Sequence, residues 1–287
     1  MVPSPIAEDI RRRLGILAPA ERKVARILLA SYPSAGFETV ATIADRAGVS
    51  APTVLRFVTR LGYTGFPDFQ AALRRELDAR TASPLSLYTT AGDGAFGHST
   101  DGIVAQSSTL FAQALTQTLT GIPRHDFAGA LALLSDRRRR ITLVGGRFTH
   151  LLARYLGLHL MQLRDDIRFL PDRDVERTAL LATLTKRDVA VVFDYRRYEE
   201  DKLAIAQLVR ESGGKVIVFT DMWLSPITAH ADVVLSHRVD APSPYDSLVP
   251  TLAVVETLVA ALVTSLGDDA HRHMKQGEET ARRIQLV

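Results

Sequence analysis

Four short apolar runs constrain this chain more than any other feature: ITLVG at 141–145, IRFL at 167–170, VAVVF at 189–193 and KVIVF at 215–219. They read as buried strands, since runs this apolar, rather than strict alternation, are the pattern of a strand covered on both faces. A weaker run, VVL, follows at 233–235. Helical-period segments at 151–163 and 202–212 separate the first run from the second and the third from the fourth. Strands that alternate with helices build βαβ units, so a mostly parallel five-stranded sheet is expected. Before it, Ser99 or Thr100 can cap a helix that runs to about Leu119, with Ile103, Ser107, Leu110, Ala114, Leu115 and Leu119 near one stripe. After it, the apolar stretch 252–266 reads as a closing helix.

The first 80 residues have no such runs. From Ile6 to about Ala79 the apolar positions recur at helical spacing, broken at Ala18-Pro19, Tyr32-Pro33, Ala47-Gly48 and Leu61-Gly62. Four or five short helices are expected there. Residues 81–98, TASPLSLYTTAGDGAFGH, lack periodicity and are expected to be a linker. The division is therefore 1–80 helical, 81–98 linker and 99–287 α/β. Charge follows the same division, because residues 1–80 hold 12 basic and 8 acidic side chains within a whole-chain net charge of +3.

Within the helical part, residues 40–62 have the layout of a helix-turn-helix. One helix ends at Ala47, Gly48 supplies the turn, and Ser50 caps a second helix with Pro52 in its first turn. At about 100° per residue, Val54, Phe57, Val58 and Leu61 fall on one arc. Pro52, Thr53, Arg56, Thr59 and Arg60 fall on the other. A helix that reads the major groove needs this division, with hydroxyl and guanidinium groups aimed at base edges and phosphates. Ser50, Pro52, Thr53, Arg56, Thr59 and Arg60 are the candidate DNA contacts.

Four words in order, Ala20-Glu-Arg-Lys-Val-Ala25, Thr42-Ile-Ala-Asp-Arg-Ala-Gly-Val-Ser50, Thr53-Val-Leu-Arg-Phe57 and Arg60-Leu-Gly-Tyr-Thr-Gly-Phe-Pro67, resemble the N-terminal domain of MurR/RpiR transcriptional regulators. That resemblance implies a C-terminal sugar isomerase (SIS) domain, a doubly wound α/β unit, and residues from about 99 onward have the matching order of elements. Such folds bind ligands beyond the carboxyl ends of the strands, at the switch point. Gly145-Gly-Arg-Phe-Thr149 resembles the family's Gly-x-Gly-x-Ser, with Thr149 in the hydroxyl place and Arg147 at the second Gly. Asp194-Tyr-Arg-Arg-Tyr-Glu199 stands where the family has Ser-x-Ser-Gly-x-Thr, whereas Thr220, Ser225-Pro226 and Ala231-Asp232 keep the family pattern.

The scaffold is thus retained while the ligand loop is altered. Gly145, Arg147, Thr149, Asp194, Tyr195, Arg196 and Arg197 are the candidate effector contacts. Guanidinium forks suit a small anionic effector, a sugar phosphate or other carbohydrate derivative by resemblance, or a carboxylate given the altered loop. Internal pairing of Arg196 or Arg197 with Asp194, Glu199, Glu200 or Asp201 is the competing reading. The loop Ala241-Pro-Ser-Pro-Tyr-Asp-Ser247 is read as a cap on the last helix, with Ser243, Tyr245 and Ser247 at the crevice rim.

The absence of Cys removes disulfides, thiolate nucleophiles and Cys-based metal sites. His271-x-His273 lacks the helical i, i+4 spacing of a metal pair, and neither a dinucleotide fingerprint nor a P-loop occurs, so neither cofactor nor metal is expected. The Arg137–Arg140 run reads as a solvated helix end, and Met222 and Trp223 as packing residues. The N-terminus has no apolar core of a secretory signal, and the 252–266 stretch is shorter than the ~20 residues a span needs, so a soluble cytoplasmic protein without membrane contact is expected.

The leading expectation is a non-enzymatic regulator that binds double-stranded operator DNA as a homodimer or homotetramer, the dimer formed through 252–266 and 103–119. Two alternatives stand beside it. One is an aldose–ketose sugar-phosphate isomerase, which needs a base that is not evident. The other is a DNA-binding protein whose SIS-like part only oligomerises.

Overall fold

Apolar spacing gives the N-terminal region its helices, and the breaks read from Gly and Pro fall between them. In the computed structural model, which describes residues 5–91 and 100–286, α1 is Ile6–Arg13, α2 Pro19–Ala30, α3 Val40–Ala47, α4 Ala51–Arg60 and α5 Phe66–Thr81. A 3-10 turn, Ser34–Phe37, joins α2 to α3. Ile10, Val24, Leu28, Ile43, Val54, Phe57, Phe69 and Leu73 form one core among them. The buried Glu76 of α5 accepts from the Ile6 N–H (2.9 Å) and the Tyr32 hydroxyl (2.6 Å), which ties the start of α1 and the end of α2 to α5. Burial raises the Glu76 carboxyl above its usual range.

The chain divides between Ser83 and Pro84. Helix α6, Pro84–Ala91, occupies part of the stretch read as linker, and residues 92–99, with the Ser99 cap, lie outside the described residues. The second unit continues with α7 (Thr100–Gly121), α8 (Arg124–Ser135), β1 (Arg140–Gly145), α9 (His150–Leu163), β2 (Ile167–Phe169) and α10 (Asp174–Leu181). It ends with β3 (Asp188–Phe193), α11 (Glu200–Glu211), β4 (Lys215–Asp221), β5 (Val233–His237), α12 (Val249–Leu266) and α13 (Asp268–Arg283). Helices α10 and α13 go beyond the sequence reading; α13 has only Ala270 buried, so no apolar stripe announced it.

All strand pairs are parallel, in the order β2-β1-β3-β4-β5. The sheet is wholly rather than mostly parallel. Val144, Ala190, Val192, Val216 and Val218 face Ile205, Ala206 and Val209 of α11. On the opposite face α9 lies so close that a Cβ on Gly157 would sit 2.4 Å from the Phe169 ring. Helix α12 starts three residues earlier than the apolar stretch suggested, which brings it to 18 residues with a mean hydropathy of 1.9. That is long and apolar enough for a span by length alone. Instead Val254, Val255, Leu258 and Leu262 pack into the core, against α7, α8 and α9.

Candidate functional site

Helices α3 and α4 are set by their termini. The Thr39 hydroxyl accepts from the Thr42 N–H (3.1 Å) at the start of α3, and Gly48, at φ +59°, closes it in a left-handed turn that disfavours other residues. Ser50 stands at the N-cap of α4 but does not cap with its side chain, contrary to the sequence reading. Its Oγ lies 3.0 Å from Thr53 Oγ1, which in turn accepts from Arg56 Nη2 at 3.0 Å. Val54, Phe57, Val58 and Leu61 are buried, as the periodicity requires.

On the outer arc Pro52, Arg56, Thr59 and Arg60 are exposed, whereas Thr53 is buried. Thr53 lies one turn before Phe57, and α4 packs on both α2 and α3, so the covered sector is wider than the four apolar positions. Arg60 is half exposed and its Nη1 meets Glu21 Oε2 at 2.9 Å. That carboxylate also accepts from the Ala18 N–H. The ridge is therefore a line of linked groups, Ser50, Thr53 and Arg56, flanked by one arginine tethered to its own scaffold.

In the second unit the strand order reverses between β1 and β3, so a crevice belongs over their carboxyl ends. Two turns meet there. Gly145 and Gly146 fold back on α9 so closely that a Cβ on Gly145 would lie 2.4 Å from His150 Cα. Thr149 is buried; its hydroxyl accepts from the Gly146 N–H (2.7 Å) and donates to the Phe193 carbonyl (3.0 Å), joining the β1 turn to β3. Arg147 is exposed. Arg197 has φ +67° at the position where the resembling family has Gly, so the left-handed turn persists without the residue that favours it.

The other residues of the β3–α11 loop are drawn into internal pairs. Arg196 forks onto Asp246, with Nε 2.7 Å from Oδ2, and its guanidinium lies over Trp223 at 5.2 Å. The Arg196 N–H, the Tyr198 hydroxyl (2.7 Å) and the Trp223 N–H (2.9 Å) all reach Asp221. Ser225 Oγ donates to Asp194, and the Glu199 N–H meets the same carboxylate at 3.3 Å. Tyr195 is buried with its hydroxyl 3.1 Å from His237 Nδ1 and 2.9 Å from Thr251 Oγ1.

Burial pushes both Asp194 and Asp221 up to about 6 and lowers His237 to about 3, so this imidazole stays neutral. Among the described residues neither Arg147 nor Arg197 has an ion pair, and no cluster of three metal-ligating side chains occurs. Asp221, Asp246, His237 and Thr251 were not picked from the sequence; each is remote in the chain from the loop it serves. The Arg137–Arg140 run is not merely solvated, since Arg140 pairs with the buried Asp188 at 2.5 Å and Arg137 with Asp269 at 3.2 Å.

Two family matches cover most of the chain. Residues 5–80 match the helix-turn-helix domain of the rpiR family, and residues 133–261 match the SIS domain. The chain belongs to the rpiR family. This rpiR-family chain is 26% identical over 295 residues to the HTH-type transcriptional regulator HexR of Pseudomonas aeruginosa, a match that spans 96% of this chain and 95% of that one. Its fold is similar to the RpiR sugar isomerase domain of Sphaerobacter thermophilus, at TM-score 0.58 and 25% identity over 62% of this chain and 98% of that one. It is also similar to Vibrio vulnificus NanR complexed with ManNAc-6P, at TM-score 0.54 and 20% identity over 99% and 100% of the two chains. The rpiR-family protein is accordingly a DNA-binding transcription regulator with a SIS domain, not an isomerase. None of these relatives supports a carboxylate effector.

Proposed function

We propose that this regulator places α4 in the major groove of operator DNA and senses a phosphorylated sugar over the carboxyl ends of β1 and β3. One observation carries the DNA half: Arg56 is exposed while it is hydrogen-bonded to Thr53, so a guanidinium is held outward on a helix whose reverse face is anchored. Pro52, Thr59 and Ser50 are the other exposed groups of that ridge. Arg60, tethered to Glu21, suits a phosphate contact at its end.

For the effector, Gly145, Arg147, Thr149 and Arg197 form the receiving edge, and Asp194, Tyr195 and Arg196 shape its floor. NanR, a protein of the same fold, is bound to a sugar phosphate. Apolar residues exposed along α9, Leu151, Leu158 and Met161, with Ile103 and Leu119 of α7, form the face through which we propose the chain dimerises. Of α12, Val254, Val255, Leu258 and Leu262 are spent on the core, which leaves its exposed side, with Val249 and Val263, for the expected dimer surface. A regulator of operator DNA works in the cytoplasm.

Fluorescence anisotropy of the full chain on DNA from its own upstream region tests the proposal. Binding is expected to weaken steeply with salt, and a panel of hexose phosphates is expected to shift the curve. Intact DNA binding that no sugar phosphate alters would leave the SIS domain as an oligomerisation module, and sedimentation of the same sample reports the assembly.

A further inference from the structure

Lys202 stands in the first turn of α11 with its side chain 3% exposed. Both facts disfavour an ammonium there, because burial strips its water and the amino end of a helix repels positive charge. Ala206 and Val209, one and two turns along the same face, belong to the core, so an apolar side chain would suit the packing. What holds the charge is Glu199, whose carboxylate pairs with Nζ; Asp201 lies farther off at 3.8 Å. Glu199 occupies the N-cap position of α11 yet makes no side-chain capping bond.

Its other oxygen rests on the glycine turn that opens α9. A Cβ on Gly146 would lie 2.6 Å from Glu199 Oε1, 3.3 Å from Lys202 Nζ and 3.3 Å from Thr149 Oγ1. A negative group is thus already seated between a buried cation and the turn before a helix amino end, the surroundings that suit an anion. Unlike Lys202, the Glu199 side chain is 37% exposed. It can swing into water at little desolvation cost, whereas the ammonium cannot.

We propose that Glu199 is a resident counter-ion in an anion subsite formed by Lys202 and the Gly145–Gly146 turn, and that a phosphomonoester binds by displacing it. The inference rests on the crevice reading above and names the group that enters. Once Glu199 leaves, only Asp201 at 3.8 Å faces the buried ammonium, and that carboxylate is shared with Arg177, so an incoming anion favours the release. A phosphate dianion replaces the lost carboxylate with at least as much negative charge beside Lys202; a neutral sugar does not. Lys202 is thereby a specificity-determining residue for phosphorylated over free sugars.

Calorimetry of the full-length protein with inorganic phosphate, glucose 6-phosphate and glucose tests this. Glu199→Gln is expected to bind both phosphates at least about tenfold more tightly than wild type, the affinity lost to an internal competitor being recovered. Lys202→Met, close in shape and free of the buried charge, is expected to lose both, and glucose to bind none of the three proteins. Wild-type binding that is unchanged or weaker in Glu199→Gln, or undiminished in Lys202→Met, would overturn the counter-ion role while leaving the crevice reading standing. Failure of every variant to bind either phosphate would overturn both.

Discussion

Arg56 and Arg196 are the same residue type placed to opposite ends. On α4, Arg56 is exposed and steadied by a threonine hydroxyl, so its charge is available to a partner. On the β3–α11 loop, Arg196 has a side chain only 11% exposed, forks onto Asp246 and lies over Trp223. An anchored helix with one free face lends its outward cations to a ligand. The loop at the strand ends spends the Arg196 guanidinium on a carboxylate from the segment before α12 and its backbone N–H on one from β4. A cationic sequence motif therefore says little about binding until the neighbouring acids are placed.

That contrast can be broken at its buried end first. Asp246→Ala removes the partner of a largely buried guanidinium and is expected to destabilise the SIS unit by about 2–3 kcal/mol. In a unit of this size the melting temperature should then fall by roughly 5–10 °C. A fall under about 2 °C would mean that Arg196 is no more committed to the fold than Arg56.

The exposed end comes next. Arg56→Ala is expected to leave the melting temperature unchanged and weaken operator binding by roughly 1–3 kcal/mol, read by anisotropy. Arg60→Ala should weaken it less, because Glu21 already claims part of that charge. Equal losses in the two variants would remove the distinction between a free and a tethered arginine.

The smallest effect sharpens the comparison through pH. Asp194 is raised to about 6 in the folded protein, above its unfolded value of about 3.9. A carboxyl shifted that way stabilises the fold while protonated, below the unfolded value, and that contribution is lost as pH rises through about 6. Asp194→Asn, which cannot ionise, is therefore expected to gain on wild type by about 1–2 kcal/mol between pH 4 and pH 7, followed by thermal melts. A difference that stays flat with pH would show that the β3 loop is as wet as α4.

Read residue by residue, the fold was more legible than the site. The runs at 141–145, 189–193 and 215–219 are buried on both faces, and burial on both faces is what a continuous apolar word records. The α4 arc was legible because helix geometry alone puts Val54, Phe57, Val58 and Leu61 together. Thr53 escaped that reading because its cover comes from neighbouring helices rather than from α4 itself. Helix α13 escaped because it buries almost nothing.

The partners in the crevice were beyond sequence reasoning for a related reason. Arg196 meets Asp246 across 50 residues of chain, Tyr195 meets Thr251 across 56, and Gly146 faces Glu199 only because β1 and β3 are neighbours. Lys202 left a faint trace, a cation in the first turn of a helix at a core position, but only its burial gives that trace meaning.

By itself, then, the sequence determined the two-part architecture, the strands and the outward ridge of α4, because periodicity and local turn chemistry act over a few residues. Tertiary structure alone decided which arginines are free and which are spent, and which carboxylate rests on which cation. Charges interact through space and through whatever dielectric surrounds them, and neither is written in the order of residues along a chain.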